Sequence, residues 1–329
     1  MSNFSKFVGV VGVATLLTAC GGGGGSLDVP DNVPKNAIKP DQLSASYIPL
    51  TDDSKKSAIE KEYDRTISHA IGEALGEAPI GRTAKAVELF EDGKNYFSLF
   101  RNIFCTTVVE QGTKKTLTLK SGNDSCSTTG ALVVKFKGGS VELTENTTST
   151  VIEFKNAHYT PWVDLDGDYF VNGKIEKITS ENPKSVTYKV VSPLSFHIVE
   201  KDNPSNSLEY FNLSKYTHNV TEGDVKTMSS EGIIVGQAPN SEYVYEFILS
   251  TPEKFNFAKR LLGLTYFHFP QAGGYISLKD VYSQETRVKQ TIDGSELFDL
   301  DRYSAEISFK GLRENKSTLN WSQIVKSPK

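Results

Sequence analysis

Tyr169-Phe170-Val171-Asn172-Gly173-Lys174-Ile175-Glu176-Lys177-Ile178, followed by Ser185-Val186-Thr187-Tyr188-Lys189-Val190-Val191, is the stretch whose reading decides the fold. Its apolar residues are β-branched or aromatic, and in Ser185–Val191 they alternate with polar ones at Val186, Tyr188 and Val190. This is the pattern of strands with one dry and one wet face. The same pattern continues outward on both sides. Residues 103–109, 116–120, 131–136, 140–143 and 150–154 precede the stretch, and 233–236, 243–249, 262–269, 275–278, 287–292 and 304–309 follow it. Gly112, Gly138-Gly139, Asp166-Gly167, Asn172-Gly173 and Asp293-Gly294 are turn signals between them. Many short strands at even spacing predict a mainly-β body, an antiparallel β-sandwich or a barrel-like sheet.

Helical signals are confined to the N-terminal side. Over 54–75, Ile59, Tyr63, Ile67 and Ile71 recur four apart with Lys55, Lys56, Glu60 and Asp64 between them, which predicts an amphipathic helix ended by Gly76 and Pro79. A second short helix is expected over 82–90, with Ala84, Val87 and Leu89 inward and Gly93 ending it. One or two short helices therefore precede the sheet. The β portion carries a soft internal repeat: Phe154, Tyr159, Gly173, Tyr188, Pro193 and Phe196 recur as Phe211, Tyr216, Gly232, Tyr245, Pro252 and Phe255. Either the region is duplicated, with a boundary near Pro204, or any β-rich chain aligns with itself at aromatics and glycines. The expected divisions are 1–19, 20–52, 53–95, 96–203 and 204–329, the last two being two β regions or one continuous domain.

The first twenty residues set the compartment. A single Lys6, an apolar run from Phe7 to Leu17 and small residues before Cys20 have the layout of a secretory signal. The run is too short for a permanent membrane helix, which needs about 20 apolar residues. Leu17-Thr18-Ala19-Cys20 resembles the lipobox of bacterial lipoproteins, a resemblance that implies cleavage before Cys20, acylation of its thiol and amine with palmitate-type chains, and a protein anchored to the membrane. Gly21 follows where an inner-membrane retention signal has Asp, so the resemblance favours the outer membrane, facing the cell surface or the periplasm. Gly21 to Gly25 and the prolines 30, 34, 40 and 49 read as a flexible tether of roughly thirty residues. The strands lack the clean alternation of a lipid-facing band, and the chain ends on Lys329 rather than an aromatic residue, so a transmembrane barrel is not expected.

Charge and cysteine use narrow the partners. The net charge is −4, and losing Lys6 takes it to −5, with both signs interspersed. No basic stripe is present for nucleic acid. With Cys20 lipidated, Cys105 and Cys126 remain as an even pair in an oxidising compartment, and a disulfide between them closes a loop of about 20 residues. No third sulfur or histidine stands at metal-ligand spacing beside them.

Motifs with chemical content are few. Asp164, Asp166, Asp168 and Asn172 occupy positions one, three, five and nine of a run that resembles a dockerin-type calcium loop. Tyr169 replaces the glycine of the sharp turn and Ile175 the bidentate acid, so two ordinary turns are the competing reading. Histidines 69, 158, 197, 218 and 268 are scattered, and no nucleophile elbow, Walker loop or dinucleotide fingerprint occurs. Asp299, Asp301 and Glu306 lie near Phe298 and Tyr303, a combination that suits a sugar cleft or a loop entering a strand. Phe255, Phe257, Tyr266, Phe267, His268, Phe269 and Tyr275 form the densest aromatic segment; a wall for a haem-type ligand with His268 at the metal, a protein hot spot, or a buried strand all fit it. Trp162 and Trp321, the two tryptophans, are either partner anchors or core packing. Together, Tyr266, His268, Tyr275 and Trp162 are the candidate ligand-binding residues.

The expected function is non-enzymatic: an outer-membrane lipoprotein that binds a protein, glycan or haem-type ligand, its partners being an outer-membrane receptor or assembly, or a host protein. Calcium is the one cofactor suggested. In anchor, tether and β-rich character the chain is similar to the Gly-tethered surface lipoproteins of Neisseria-type haem and iron uptake, but no ligand-site motif is shared. The alternatives are an envelope glycan hydrolase on a β scaffold and a structural subunit of an outer-membrane assembly.

Overall fold

The computed structural model describes residues 36–51, 53–74, 106–119, 135–160, 167–200, 203–237, 241–258, 270, 273–291, 304–311 and 313–324. Among the described residues, fourteen strands join one antiparallel sheet. In chain order they are β1 (Thr106–Gln111), β2 (Lys114–Leu119), β3 (Lys135–Glu145), β4 (Ser149–Thr160), β5 (Gly167–Glu181), β6 (Lys184–Glu200), β7 (Asn203–Thr221), β8 (Val225–Gln237), β9 (Val244–Glu253), β10 (Phe255–Ala258), β11 (Tyr275–Asp280), β12 (Glu285–Gln290), β13 (Ser304–Lys310) and β14 (Glu314–Asn320). Each pairs with the next, with one exception. β9 and β10 both lie on β8, at Glu231–Gln237 and Val225–Met228, so they act as one strand interrupted at Lys254, and β11 continues the sheet from β9. The mainly-β, antiparallel class is as expected. Among the described residues β1 and β14 are the two edges, so the sheet is open rather than closed into a barrel.

The middle strands are longer than the sequence suggested. β5, β6 and β7 run for 15, 17 and 19 residues, where strands usually have 3–10; at roughly 3.3 Å per residue β7 spans about 60 Å. Gly138-Gly139 and Asn172-Gly173, expected as turns, lie inside β3 and β5. Residues 192–232, where no strand is expected, hold the end of β6, all of β7 and the start of β8, and β14 is likewise unanticipated.

What the turn residues do instead is bend the strands along one line. Register shifts fall between Phe154 and Ala157, Asn172 and Ile175, Lys189 and Leu194, and Ser214 and Thr217. Asn156 and Lys215 sit there at φ 49° and 50°, a conformation costly for residues with a Cβ. Each kink abuts a glycine on its neighbour. A Cβ on Gly139 would lie 1.9 Å from the Asn156 carbonyl oxygen, one on Gly173 2.3 Å from that of Pro193, and one on Gly232 2.8 Å from that of Lys215. Only glycine lets the backbones approach so closely. The soft repeat noted in the sequence has its physical content here: Gly173, Pro193 and Gly232 mark the bend, while Phe154, Tyr159, Tyr188, Phe196, Tyr216, Tyr245 and Phe255 are all buried on the inner face. The β6–β7 ladder extends from Ser185–Thr221 to Glu200–Asn203, with register shifts after Lys189 and on both sides of Val199, so the two expected β regions share one sheet.

One hydrophobic core joins strands from β3 to β13 with helix α1 (Ala58–Ala74) and the short C-terminal helix α2 (Trp321–Ile324). Helix α1 starts on a reciprocal cap: the Glu60 amide donates to Ser57 Oγ at 3.3 Å, and the Ser57 amide donates to Glu60 Oε2 at 2.8 Å. Its dry stripe of Tyr63, Ile67, Ala70 and Ile71 packs towards β8, β9 and β11. Polar ties fix the helix further. Tyr63 OH donates to Asp280 at 2.8 Å, Tyr47 OH to Asp64 at 2.7 Å, and Ser68 Oγ to the Ile324 carbonyl. Trp321 is fully buried, edge-on to Phe255 at 5.7 Å, and donates its indole N–H to Gln290. No described helix is long and apolar enough to cross a membrane.

Candidate ligand-binding face

Strand register determines which side chains share a face. Ala157, Val171, Phe196 and Tyr245 lie on one inward row and are buried, so the rows on either side of it point outward. One outward row runs His158, Phe170, His197, Tyr210 and Gln237 across β4 to β8. The next runs Asn172, Ser195, Asn212 and Val235. Four rings thus stand on adjacent strands above a line of amides and a hydroxyl.

The rings contact one another. His158 stacks on Phe170 at 4.1 Å and 17°, and Phe170 meets His197 at 6.2 Å and 37°. Tyr210 is 45% exposed, its hydroxyl accepting from Asn212 Nδ2 at 3.3 Å. At the β4 end, Asp168 is 1% exposed, and its Oδ2 accepts from Lys137 and, at 3.0 Å, from His158 Nε2. That carboxylate fixes the His158 ring and is itself balanced by the ammonium. The bend isolates this region from different chemistry. On the other side the same outward face carries an alternating ladder, Lys114–Glu142 at 2.8 Å, Glu142–Lys155 at 2.7 Å, Lys155–Glu153 at 4.0 Å and Glu153–Lys174 at 3.2 Å.

A third histidine faces inward. His218 is fully buried beside Tyr188, its Nδ1 2.8 Å from Ser230 Oγ. Burial, with the nearby positive Lys226, pushes its pKa down to about 4, so at neutral pH it is an uncharged core residue.

The residues singled out in the sequence are distributed as follows. Tyr266, His268, Trp162, Cys20, Cys105, Cys126, Asp164 and Asp166 lie outside the described residues, as do the 82–90 helix and the 262–269 strand. Tyr275 opens β11 opposite Glu253, beyond the bend and away from the ring row; burial raises its phenol pKa. Asp168 and Asn172 lie four residues apart in extended β5, about 13 Å. Asp168 is held as above, and Asn172 Oδ1 accepts the Asn156 amide at 2.6 Å. Phe255 and Phe257 are buried core, as the strand reading of the aromatic segment has it. No protein-family model, curated protein or solved structure matches this chain.

His158, Phe170, His197 and Tyr210 were not visible as a group beforehand. They are separated by intervals that no motif describes, and only the register of four strands brings them together. Among the described residues no cluster of three metal-ligating side chains occurs, and a small cavity lined by Ile38, Tyr63, Tyr245, Phe247 and Asp280, of ≈ 20 Å³, has room for about one water molecule.

Proposed function

We propose that the chain is a membrane-anchored, non-enzymatic lipoprotein that captures its ligand on the outward face of β4 to β8. The observation that carries the reading is the His158–Phe170–His197–Tyr210 row. Rings aligned on adjacent strands, His197 and Tyr210 exposed and His158 and Phe170 half-buried, with amides alongside, have the composition of a recognition surface. The nearest buried acid, Asp168, is engaged by Lys137 and His158, which supports binding rather than turnover. The lipobox-like Leu17-Thr18-Ala19-Cys20 and the glycine tether support an outer-membrane anchor through Cys20, facing the surface or the periplasm, with an envelope assembly or host molecule as partner.

Two measurements test this. Cys20→Ser is expected to move the protein from the membrane fraction to the soluble one; unchanged membrane retention removes the anchor. Cells displaying the full chain are expected to capture a ligand that the Tyr210→Ala, His197→Ala double variant fails to capture. Turnover of envelope glycan, abolished by an acid-to-amide change, would replace the binding reading with the hydrolase.

A further inference from the structure

Resting on that reading, we infer that the ligand of the ring row is a neutral glycan chain. The row crosses five strands, so at about 4.8 Å per strand it is about 19 Å long, and with the amide row beside it the strip covers about 250 Å². That is well below the roughly 800 Å² each partner buries in a stable protein complex. It is also a sheet face rather than a cleft, whereas compact small molecules are held in concave sites of about 300–1,000 Å³.

An elongated, flat, narrow ligand is what remains, and the strip defines its chemistry. One row offers rings, which pack against apolar C–H surface. The parallel row has the Nδ2 groups of Asn172 and Asn212 and the Ser195 hydroxyl, which keep donor and acceptor capacity for ligand hydroxyls beyond the internal bonds that Asn172 Oδ1, Ser195 Oγ and Asn212 Nδ2 make. The acid at one end, Asp168, is already neutralised by Lys137, the charged ladder lies across the bend, and Glu246, opposite Val235 where the amide row meets β9, disfavours an anionic ligand. A ligand with alternating C–H patches and hydroxyl edges and no net charge matches this: a run of several uncharged sugar rings.

The test uses the full-length chain purified in detergent, titrated by calorimetry with neutral oligosaccharides of four to six sugars (glucose, mannose and N-acetylglucosamine series), and with sulfated and sialylated chains. Tyr210→Ala and His197→Ala, each shown folded by far-UV circular dichroism, are compared with Lys155→Ala on the ladder. At least one neutral series is expected to bind, about tenfold more weakly in the two ring variants and unchanged in Lys155→Ala, with affinity flat between 50 and 500 mM salt. Binding only to charged chains, with steep salt dependence, overturns the neutral-glycan inference. If no glycan binds but a protein or haem is captured in a Tyr210-dependent way, the inference fails and the binding face stands. Should no ligand of any class depend on Tyr210 or His197, both fail.

Discussion

At the residue scale, Gly173 and His218 show how single positions govern the sheet. Gly173 has φ 122° and a backbone carbonyl oxygen 2.3 Å from where a Cβ would stand, so Gly173→Ala meets both strain and a clash with Pro193 that cannot rotate away. Its expected cost in urea unfolding is about 3 kcal/mol. Gly138→Ala, with nothing within 4 Å of the added carbon, is the control and is expected to fall within about 0.5 kcal/mol of the parent. His218 makes a pH prediction. Its folded pKa of about 4 lies below the ordinary 6.5, so between these values the unfolded chain binds more protons and stability falls as pH falls. The loss attributable to it from pH 7 to 4 is on the order of 3 kcal/mol. Subtracting the stability curve of His218→Leu from that of the parent should isolate this slope, and a difference that stays flat across the window rejects the buried neutral assignment.

At the element scale, helix α1 was legible and the long strands were only half so. The four-residue spacing of Ile59, Tyr63, Ile67 and Ile71 was enough to place the helix, because a period of 3.6 has one structural meaning. Its start is set by Ser57 and Glu60, and hydrogen bonds from Ser44 and Ser57 outweigh the upward push of burial to hold the Glu60 pKa at about 2. Ser57→Ala is expected to cost about 1 kcal/mol by calorimetry, and adding Glu60→Ala about 1 kcal/mol or more beyond that, because Glu60 also accepts the Ser44 and Ser57 backbone amides, bonds that Ser57→Ala leaves in place. In the strands, β-branched and aromatic runs bounded by turn residues located β5, β9 and β11 to β13. Gly138-Gly139 and Asn172-Gly173, however, carry the same local signal whether the chain reverses or merely kinks against a neighbour, and only the Asn156 and Pro193 backbones decide which. The ring row was illegible for a related reason: His158 and His197 are neighbours of Phe170 by register alone, and register over 19-residue strands with several bulges is not readable from one sequence.

At the scale of the whole molecule, the ladder continues from β6 into β7, and one core spans both β regions. Division at Pro204 is therefore expected to leave neither half folded: fragments 1–203 and 204–329 should each give collapsed amide dispersion in two-dimensional NMR, and well-dispersed spectra from either would show an independent domain. For the same reason Trp321, packed on Phe255, should report the Gly173→Ala destabilisation as fully as far-UV circular dichroism does.

The bend has a consequence for how the molecule can change. Three of the kinks absorb a one-residue offset and the one between Asn172 and Ile175 absorbs two, so the stretches of a strand on the two sides of a kink keep separate phase. It works as an expansion joint: a residue gained or lost on the ring side need not invert the salt-bridge side. Such a body can be refitted to a new ligand on one half of its outer surface while the other half keeps its alternation intact.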